Sequence, residues 1–536
     1  MLLRFHGFAG ANKALHPLLL PETVGVDSIN QRVGRGDLRP VRRPSQVATV
    51  PAGRKAIYRM GRDVPADGTY WLSFAQDADV ARSFIADDQA ERTYWTDGVL
   101  PSWTDNTLGL GAAPYPNPPG IRVLGVPAPD AAPQVLVAAA GTGNDETRVF
   151  VTVWVNDRGE PSAASNATTI TAKAGSTFTV NRNGSIPVGS YGLTSWRVYA
   201  TVPGGGTEFF LAGEAPVATG SIAFSGTVNS AAQLDSLTWV MPPAGLRGLK
   251  PLWNGIMAGF VGKSLRFCEP FHPYAWPVQY ELVLDDTIVA LARWGQNLMV
   301  LTTGQPYLVT GSHPSAMSNQ PTEVNQACVS KLGVVEHGHG ISYPSPDGLM
   351  YVGSSGWKNL TQGLALRDDW QAMQPSTMVA GEFEGAYVCS YGTGAARRSF
   401  TLDPLNPSGF YFYGRAFDAC FRDPVQDALY VLDSATGAVS KWDAGAAEVA
   451  TFVSKTMRTA KPTNLGWGQV MADAYPVTLT MWAQGLQRMT NRVITNGQPF
   501  RLPSGFLADE WRLSIDTGNP VQAVMLANTL QELQAA

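Results

Sequence analysis

From Thr147 to Asn156 the chain reads Thr-Arg-Val-Phe-Val-Thr-Val-Trp-Val-Asn, an apolar run rich in β-branched and aromatic residues. The turn Asp157-Arg158-Gly159 closes it. Runs of this kind, bounded by Gly, Asp and Pro, predict strands. Ser195–Glu214 holds two more apolar segments around three glycines, and Gly220–Thr227 adds another. Short strands with Gly-rich turns predict a fibronectin III-like β-sandwich over residues 126–243. From 244 to 450 a looser unit recurs. Thr287–Gly311 is strand, Gly-Gln-Asn turn, strand, Thr-Gly-Gln turn, strand, and Ile341–Thr361, Ala386–Pro404 and Ala419–Asp443 follow the same plan. Gly255–Cys268 starts the series. A repeat of roughly 30–50 residues predicts a β-propeller, with the number of blades left open. Strand patterns continue through 451–536, which is expected to be a closing β-sandwich able to pair with copies of itself. Residues 1–125 show weak alternation and many prolines, which predicts an irregular arm or platform segment. The fold class expected is therefore mainly β and multidomain.

Composition sharpens this picture. Only 15% of the 536 residues are charged, while 55 are Gly and 38 are Pro. Charged side chains normally make up about 25% of a soluble domain, so much of this surface is expected to be covered by a neighbour. The formal charge of −4 provides no global basic field for nucleic acid. No stretch approaches the ~18 apolar residues of a membrane helix, and the first residues lack a signal-type apolar run before Pro17. The expectation is a product made in a cytosol, without membrane insertion. Cys268, Cys328, Cys389 and Cys420 form no CxxC pair and read as buried free thiols.

Candidate chemistry is sparse. His337 and His339 offer two ligands between glycines, too few for a metal site. Asp285-Asp286 and Asp368-Asp369 are adjacent pairs, and neighbours on a strand face opposite ways. Ser345–Trp357 has a faint likeness to the Asp-box of sialidase-type propellers, but Asp347 meets Gly348 directly where that box has an intervening residue. Arg35-Gly36-Asp37 spells an adhesion tripeptide of a length that chance supplies often. No catalytic set, metal or cofactor is expected, and the chain does not read as an enzyme. Cys268–Tyr280, Cys-Glu-Pro-Phe-His-Pro-Tyr-Ala-Trp-Pro-Val-Gln-Tyr, is read as a structural strut. Pro270, Pro273 and Pro277 fix the backbone, and Phe271, Tyr274, Trp276 and Tyr280 are free to dock into a core.

That strut, preceded by Ser264-Leu265-Arg266-Phe267, resembles the Ser-Glu-Pro…Ala-Trp-Pro…Tyr signature of tail nozzle (tail tubular B-like) proteins of short-tailed bacteriophages. Glu269, Pro270, Pro273, Trp276 and Pro277 carry the motif, and Cys268 stands where serine is more common. Pro242–Gly262, Leu298–Ser318, Asn325–Gly353, the Leu18–Pro44 segment and Pro499–Leu533 are similar to further stretches of that family, in the same order. Residues 45–125 match nothing in it. The resemblance implies a structural virion protein assembled in the host cytoplasm. Six copies would form a ring below the portal, attached to the adaptor and followed by distal fibre or needle proteins. Genomic DNA would pass through the lumen without sequence recognition, and an acidic balance suits a wall along which phosphates slide. It also implies adaptor contact for the basic stretch containing Arg35, Arg39, Arg42 and Arg43. Other readings of the same modules are a receptor- or glycan-binding tail protein with exposed Trp357 and Trp370, a propeller glycosidase, or a collar or hub protein of a long-tailed phage.

Overall fold

The computed structural model describes residues 1–534 except 35, 62–65, 67, 86–87, 205 and 355. The chain is mainly β, and its strands sort into three bodies.

The largest is a closed β-propeller. Blade 1 is the hairpin Ala56–Arg59 and Trp71–Phe74, extended by Tyr115, whose carbonyl accepts from the Ser73 amide at 2.9 Å. Blade 2 runs from Asp79–Arg82 through Thr93–Thr96 and Ser102–Thr104 to Arg122–Val123. Blade 3 spans Arg247–Pro251 to Glu281–Val283, blade 4 Ile288–Trp294 to Ser318–Pro321, and blade 5 Val335–His337 to Gly356–Asn359. Blade 6 spans Val379–Phe383 to Tyr411–Tyr413. Blade 7 combines Ala419–Asp423, Ala428–Asp433 and Ala438–Lys441 with an outer strand from far upstream, Ser45–Thr49.

Closure is visible in the packing. Each blade shares an apolar layer with the next, for example Leu72 with Trp95 between blades 1 and 2, and Tyr343 with Leu301 between blades 4 and 5. The last layer, Trp71 and Ile57 against Tyr430 and Leu432, returns blade 7 to blade 1. Among the described residues the two ends of the ring thus face each other, and Ser45–Thr49 locks the final blade with N-terminal chain. Small residues permit neighbouring blades to approach: a Cβ on Gly381 in blade 6 would lie 2.7 Å from Leu429 Cδ1 in blade 7.

The second body is an inserted sandwich between blades 2 and 3. Gln134–Ala139, Thr177–Asn181 and Ser221–Phe224 face a five-stranded sheet centred on Asp145–Asn156 and Leu193–Thr201. Phe150, Trp154, Phe178, Trp196 and Phe224 fill the interior. The long apolar run of Asp145–Asn156 is buried over its last seven residues, which is why it shows no strict alternation.

The third body contains both chain ends. Leu2–His6, Val521–Ala527, Trp467–Ala472 and Phe500–Arg501 form one sheet. It covers a second sheet of Gly25–Ile29, Ala450–Ser454, Ala508–Thr517, Val477–Ala483 and Leu486–Ile494, over a core including Phe5, Phe452, Leu479, Trp511 and Val524. Gly25–Ile29 also pairs with Tyr411–Tyr413, so this sheet is continuous with blade 6.

The expectation of an irregular arm over 1–125 is corrected. Residues 2–29 complete the terminal sandwich, 45–49 close the propeller, and 56–123 build blades 1 and 2. The strands Trp71–Phe74 and Thr93–Thr96 are four residues long and buried on both faces, so hydrophobic alternation had no room to appear.

Candidate functional site

Innermost strands, or the segments entering them, surround an axial cavity of about 230 Å³. Its wall takes Ala56, Val80, Leu249, Ala290, Val334, Val379 and Ala419 from blades 1 to 7 in turn. Lys331, just before blade 5, reaches across it, with Nζ 2.8 Å from Asp77 Oδ2 and 2.8 Å from Asp79 Oδ1. The other Asp79 oxygen accepts from the Gly248 amide at 2.7 Å. Burial works against the Lys331 charge, but Asp79 and Asp77 outweigh it and raise its pKa. Lys250 and Glu336 form a second pair at 3.1 Å. Each of these cations is answered by a carboxylate, so the geometry is that of a brace tying blades 2, 3 and 5. Sequence reading missed it because the three partners Asp77, Asp79 and Lys331 carry no local motif.

The strut Cys268–Tyr280 lies between the third and fourth strands of blade 3. Glu269 pairs with His272 as a β-bridge, and its amide donates to the Ala275 carbonyl at 2.8 Å. Phe271 takes a left-handed backbone (φ 62°) while its amide donates to Gly255 O at 2.8 Å. Gly255 is obligatory here, since a Cβ would stand 2.5 Å from the Phe271 ring. Trp276 is buried, donates Nε1–H to Pro273 O at 2.8 Å, and its amide meets Val240 O at 2.7 Å. Pro270 O lies 2.8 Å from His272 Nδ1, and the His272 ring sits 4.4 Å from that of Trp239. Pro277 turns the chain back, its carbonyl accepting from the Tyr280 amide at 3.0 Å. The motif residues thus join the exit of the inserted sandwich to blades 2 and 3. Cys268 Sγ accepts from the Met257 amide at 3.0 Å, turned away from a shared site with His272.

The basic stretch is a folded hairpin. Gln31 bridges Pro40, and the Arg32 amide donates to Arg39 O at 2.8 Å. Arg39 pairs with Asp37 at 2.9 Å, and Arg43, largely exposed, lies 3.3 Å from Glu448. The Arg42 amide donates to Asp443 Oδ1 at 2.6 Å, with its side chain exposed. Arg32 meets Glu384 at 2.5 Å and Asp443 at 3.4 Å. Burial raises the pKa of Asp443 despite the Arg42 amide and Arg32. Arg35 lies outside the described residues. Much of the positive charge read from sequence is therefore answered within the chain. The hairpin roofs a pocket of about 390 Å³ lined by Phe383, Tyr413 and Trp442 among others.

Remaining candidates have structural placements. His337 and His339 stack at 5.3 Å, bonded to Ser342 and Tyr351. Asp368 and Asp369 open the helix Arg367–Ala372. Trp370, read as exposed, is buried and donates to Ser345 O at 2.9 Å, while Trp357 packs partly buried against Tyr343. No group of three or more His, Cys, Asp or Glu among the described residues is placed to hold a metal ion.

No protein-family model matches the chain. No curated protein matches it either. Among solved structures it is similar to BamB from Moraxella catarrhalis, at 12% identity and a TM-score of 0.26, covering 73% of this chain and 99% of that one. AztD from Citrobacter koseri gives 10% and 0.25, over 70% and 99%. The β-propeller domain of Cps50 (Swd1) from Myceliophteria thermophila gives 8% and 0.22, over 47% and 93%. Likenesses at these scores carry no argument, and the propeller rests on the ring of sheets itself.

Proposed function

We propose that the chain is a structural subunit of a short-tailed phage nozzle, six copies of which form a ring below the portal adaptor and surround the exiting genome. The observation that carries this reading is the ordered set of sequence stretches similar to that family, centred on Glu269, Pro270, Pro273, Trp276 and Pro277. Their structural setting supports it, because the motif braces a junction between bodies and holds no reactive group. Architecture of this kind positions surfaces and transforms nothing.

The propeller's own axis is not the passage. A cavity of about 230 Å³ crossed by Lys331 leaves no room for a duplex whose major groove alone is about 12 Å wide. DNA would run between copies, along faces that remain exposed in one chain. Adaptor contact through Arg42 and Arg43 belongs to the same proposal, Arg42 having the freer side chain of the two. Co-expression with the adaptor and electron microscopy of the product tests the reading. Six copies around an axial opening are expected, whereas a lone copy, or a location away from the axis, sinks it.

A further inference from the structure

The terminal sandwich carries arginines of a different kind from those of the Gln31–Arg43 hairpin. Arg488 and Arg492 lie on the strand Leu486–Ile494, which has one strand neighbour, Val477–Ala483, and so leaves its other edge unpaired among the described residues. Arg501 follows on Phe500–Arg501, and Arg492 donates to its carbonyl, which places the two side by side. Each guanidinium is seated on an aromatic ring: Arg488 at 4.5 Å from the centre of Phe506, Arg492 at 4.8 Å from Phe500, Arg501 at 4.0 Å from Trp467. None of the three has a carboxylate within ion-pair distance among the described residues, in contrast to Arg32, Arg39 and Arg43.

We propose that this rim is a docking edge for an acidic, extended segment of a partner protein. The ring contacts limit the freedom of each guanidinium, and the Arg492 bond to Arg501 O limits it further, so holding a carboxylate costs little additional side-chain entropy. Arginines that merely guard an edge against aggregation would need no such seats. The free edge of Leu486–Ile494, bulged on either side of Met489, supplies backbone donors and acceptors for an added extended segment that would run past Arg488 and Arg492. Exposed Leu486, Val493 and Leu507 flank the rim. Apolar flanks favour a polypeptide over a phosphate backbone, which has no apolar surface to bury against them. The inference needs only the rim's own charge and edge, so it stands independently of the nozzle reading.

The test uses the full chain and a fluorescent peptide alternating glutamate with valine, followed by anisotropy at low and physiological salt. A peptide with glutamine for glutamate and a short DNA duplex serve as comparators. Wild type should bind the glutamate peptide and not the glutamine one. The triple variant Arg488→Glu, Arg492→Glu, Arg501→Glu should weaken binding roughly a hundredfold. If that variant melts early, Arg488→Gln, Arg492→Gln, Arg501→Gln replaces it with the same expectation of loss. Absence of binding at low salt, equal binding of the glutamine peptide, unchanged affinity in the folded variant, or tighter binding of the duplex than of the peptide would each overturn the proposal.

Discussion

Arg59 Nη1 and Asp423 Oδ2 lie 2.7 Å apart although 364 residues separate them in the chain. Both side chains are almost fully withdrawn from solvent, at 0% and 2% exposure. Arg59 belongs to blade 1 and Asp423 to blade 7, so the pair crosses the seam where the propeller closes. Asp423 also accepts from the amides of Val425 at 2.9 Å and Gln426 at 3.2 Å, which fixes the turn after its strand. Removing the carboxylate takes away the contact that Arg59 makes across the seam and the acceptor of both turn amides. Asp423→Ala should cost about 2–3 kcal/mol through the lost charge-assisted hydrogen bond and the two orphaned turn amides, read as a lower denaturant midpoint. A change below ~1 kcal/mol would show that the seam is held by the apolar layer alone.

His337 gives the fold a pH dependence of definite sign. It is buried, and burial followed by neighbouring His339 pushes its pKa down to about 4 from 6.5. Between those values the unfolded chain binds a proton that the folded chain refuses, so stability rises with pH across the window. The contribution is complete above 6.5 and is lost as pH falls toward 4, on the order of 3 kcal/mol in all. Carboxylates titrate nearby, so the measurement is a difference. His337→Asn should flatten the stability–pH slope from 6.5 to 4 relative to wild type, and parallel slopes would contradict the assignment.

Some of this molecule was legible in the sequence and some was not, for physical reasons. Runs such as Ile288–Trp294 and Asn297–Thr302 around Gly295 announce themselves, because a tight turn between apolar segments is a local signal. The strut was legible too, since three prolines in thirteen residues leave little conformational choice. Blade 1 was not, because strands of four residues buried on both faces have no period to read. Ring closure by Ser45–Thr49 and completion of the terminal sandwich by Leu2–His6 depend on partners hundreds of residues away. The basic stretch was visible as charge, but whether Arg39 and Arg43 face a partner or their own Asp37 and Glu448 is settled by tertiary geometry. Arg488 and Arg492, four apart on an edge, carry no local signal because the rings beneath all three rim arginines come from other segments.

Three of the four thiols should be silent in the native state and the fourth, Cys420, slow to react. Burial pushes Cys268, Cys328 and Cys420 up to about 12, and Cys389 further. Thiolate is the reactive form, so alkylation near neutral pH is suppressed twice, by protonation and by access. Cys420 differs in being only partly covered at the axial cavity. Titration with a thiol reagent should show slow modification of Cys420 first and the other three only on denaturation. Rapid labelling of Cys268 in the folded protein would mean that the strut opens.

The inserted sandwich should be separable from the propeller without unfolding either, because charge pairs beside the Trp239–His272 contact hold its root and its core is its own. At the root, Arg92 pairs with Glu160 at 2.8 Å, Arg158 with fully buried Asp105, and both guanidiniums lie 5.7 Å from the Trp103 ring. Phe150, Trp154 and Phe178 pack entirely within the sandwich and gain nothing from these contacts. Arg92→Ala with Arg158→Ala removes two charge pairs and both ring contacts, and leaves Asp105 with only the Thr107 and Leu108 amides at 3.0 and 2.8 Å. Loss of about 2–4 kcal/mol of docking should loosen the hinge segments around 125–130 and 237–245 while both cores persist. Limited proteolysis should then cut at those segments and release a folded sandwich, with the propeller fragments still associated through their shared layers. Cleavage scattered through the blades instead, or a pattern matching wild type, would show that the root residues do not hold the two bodies together.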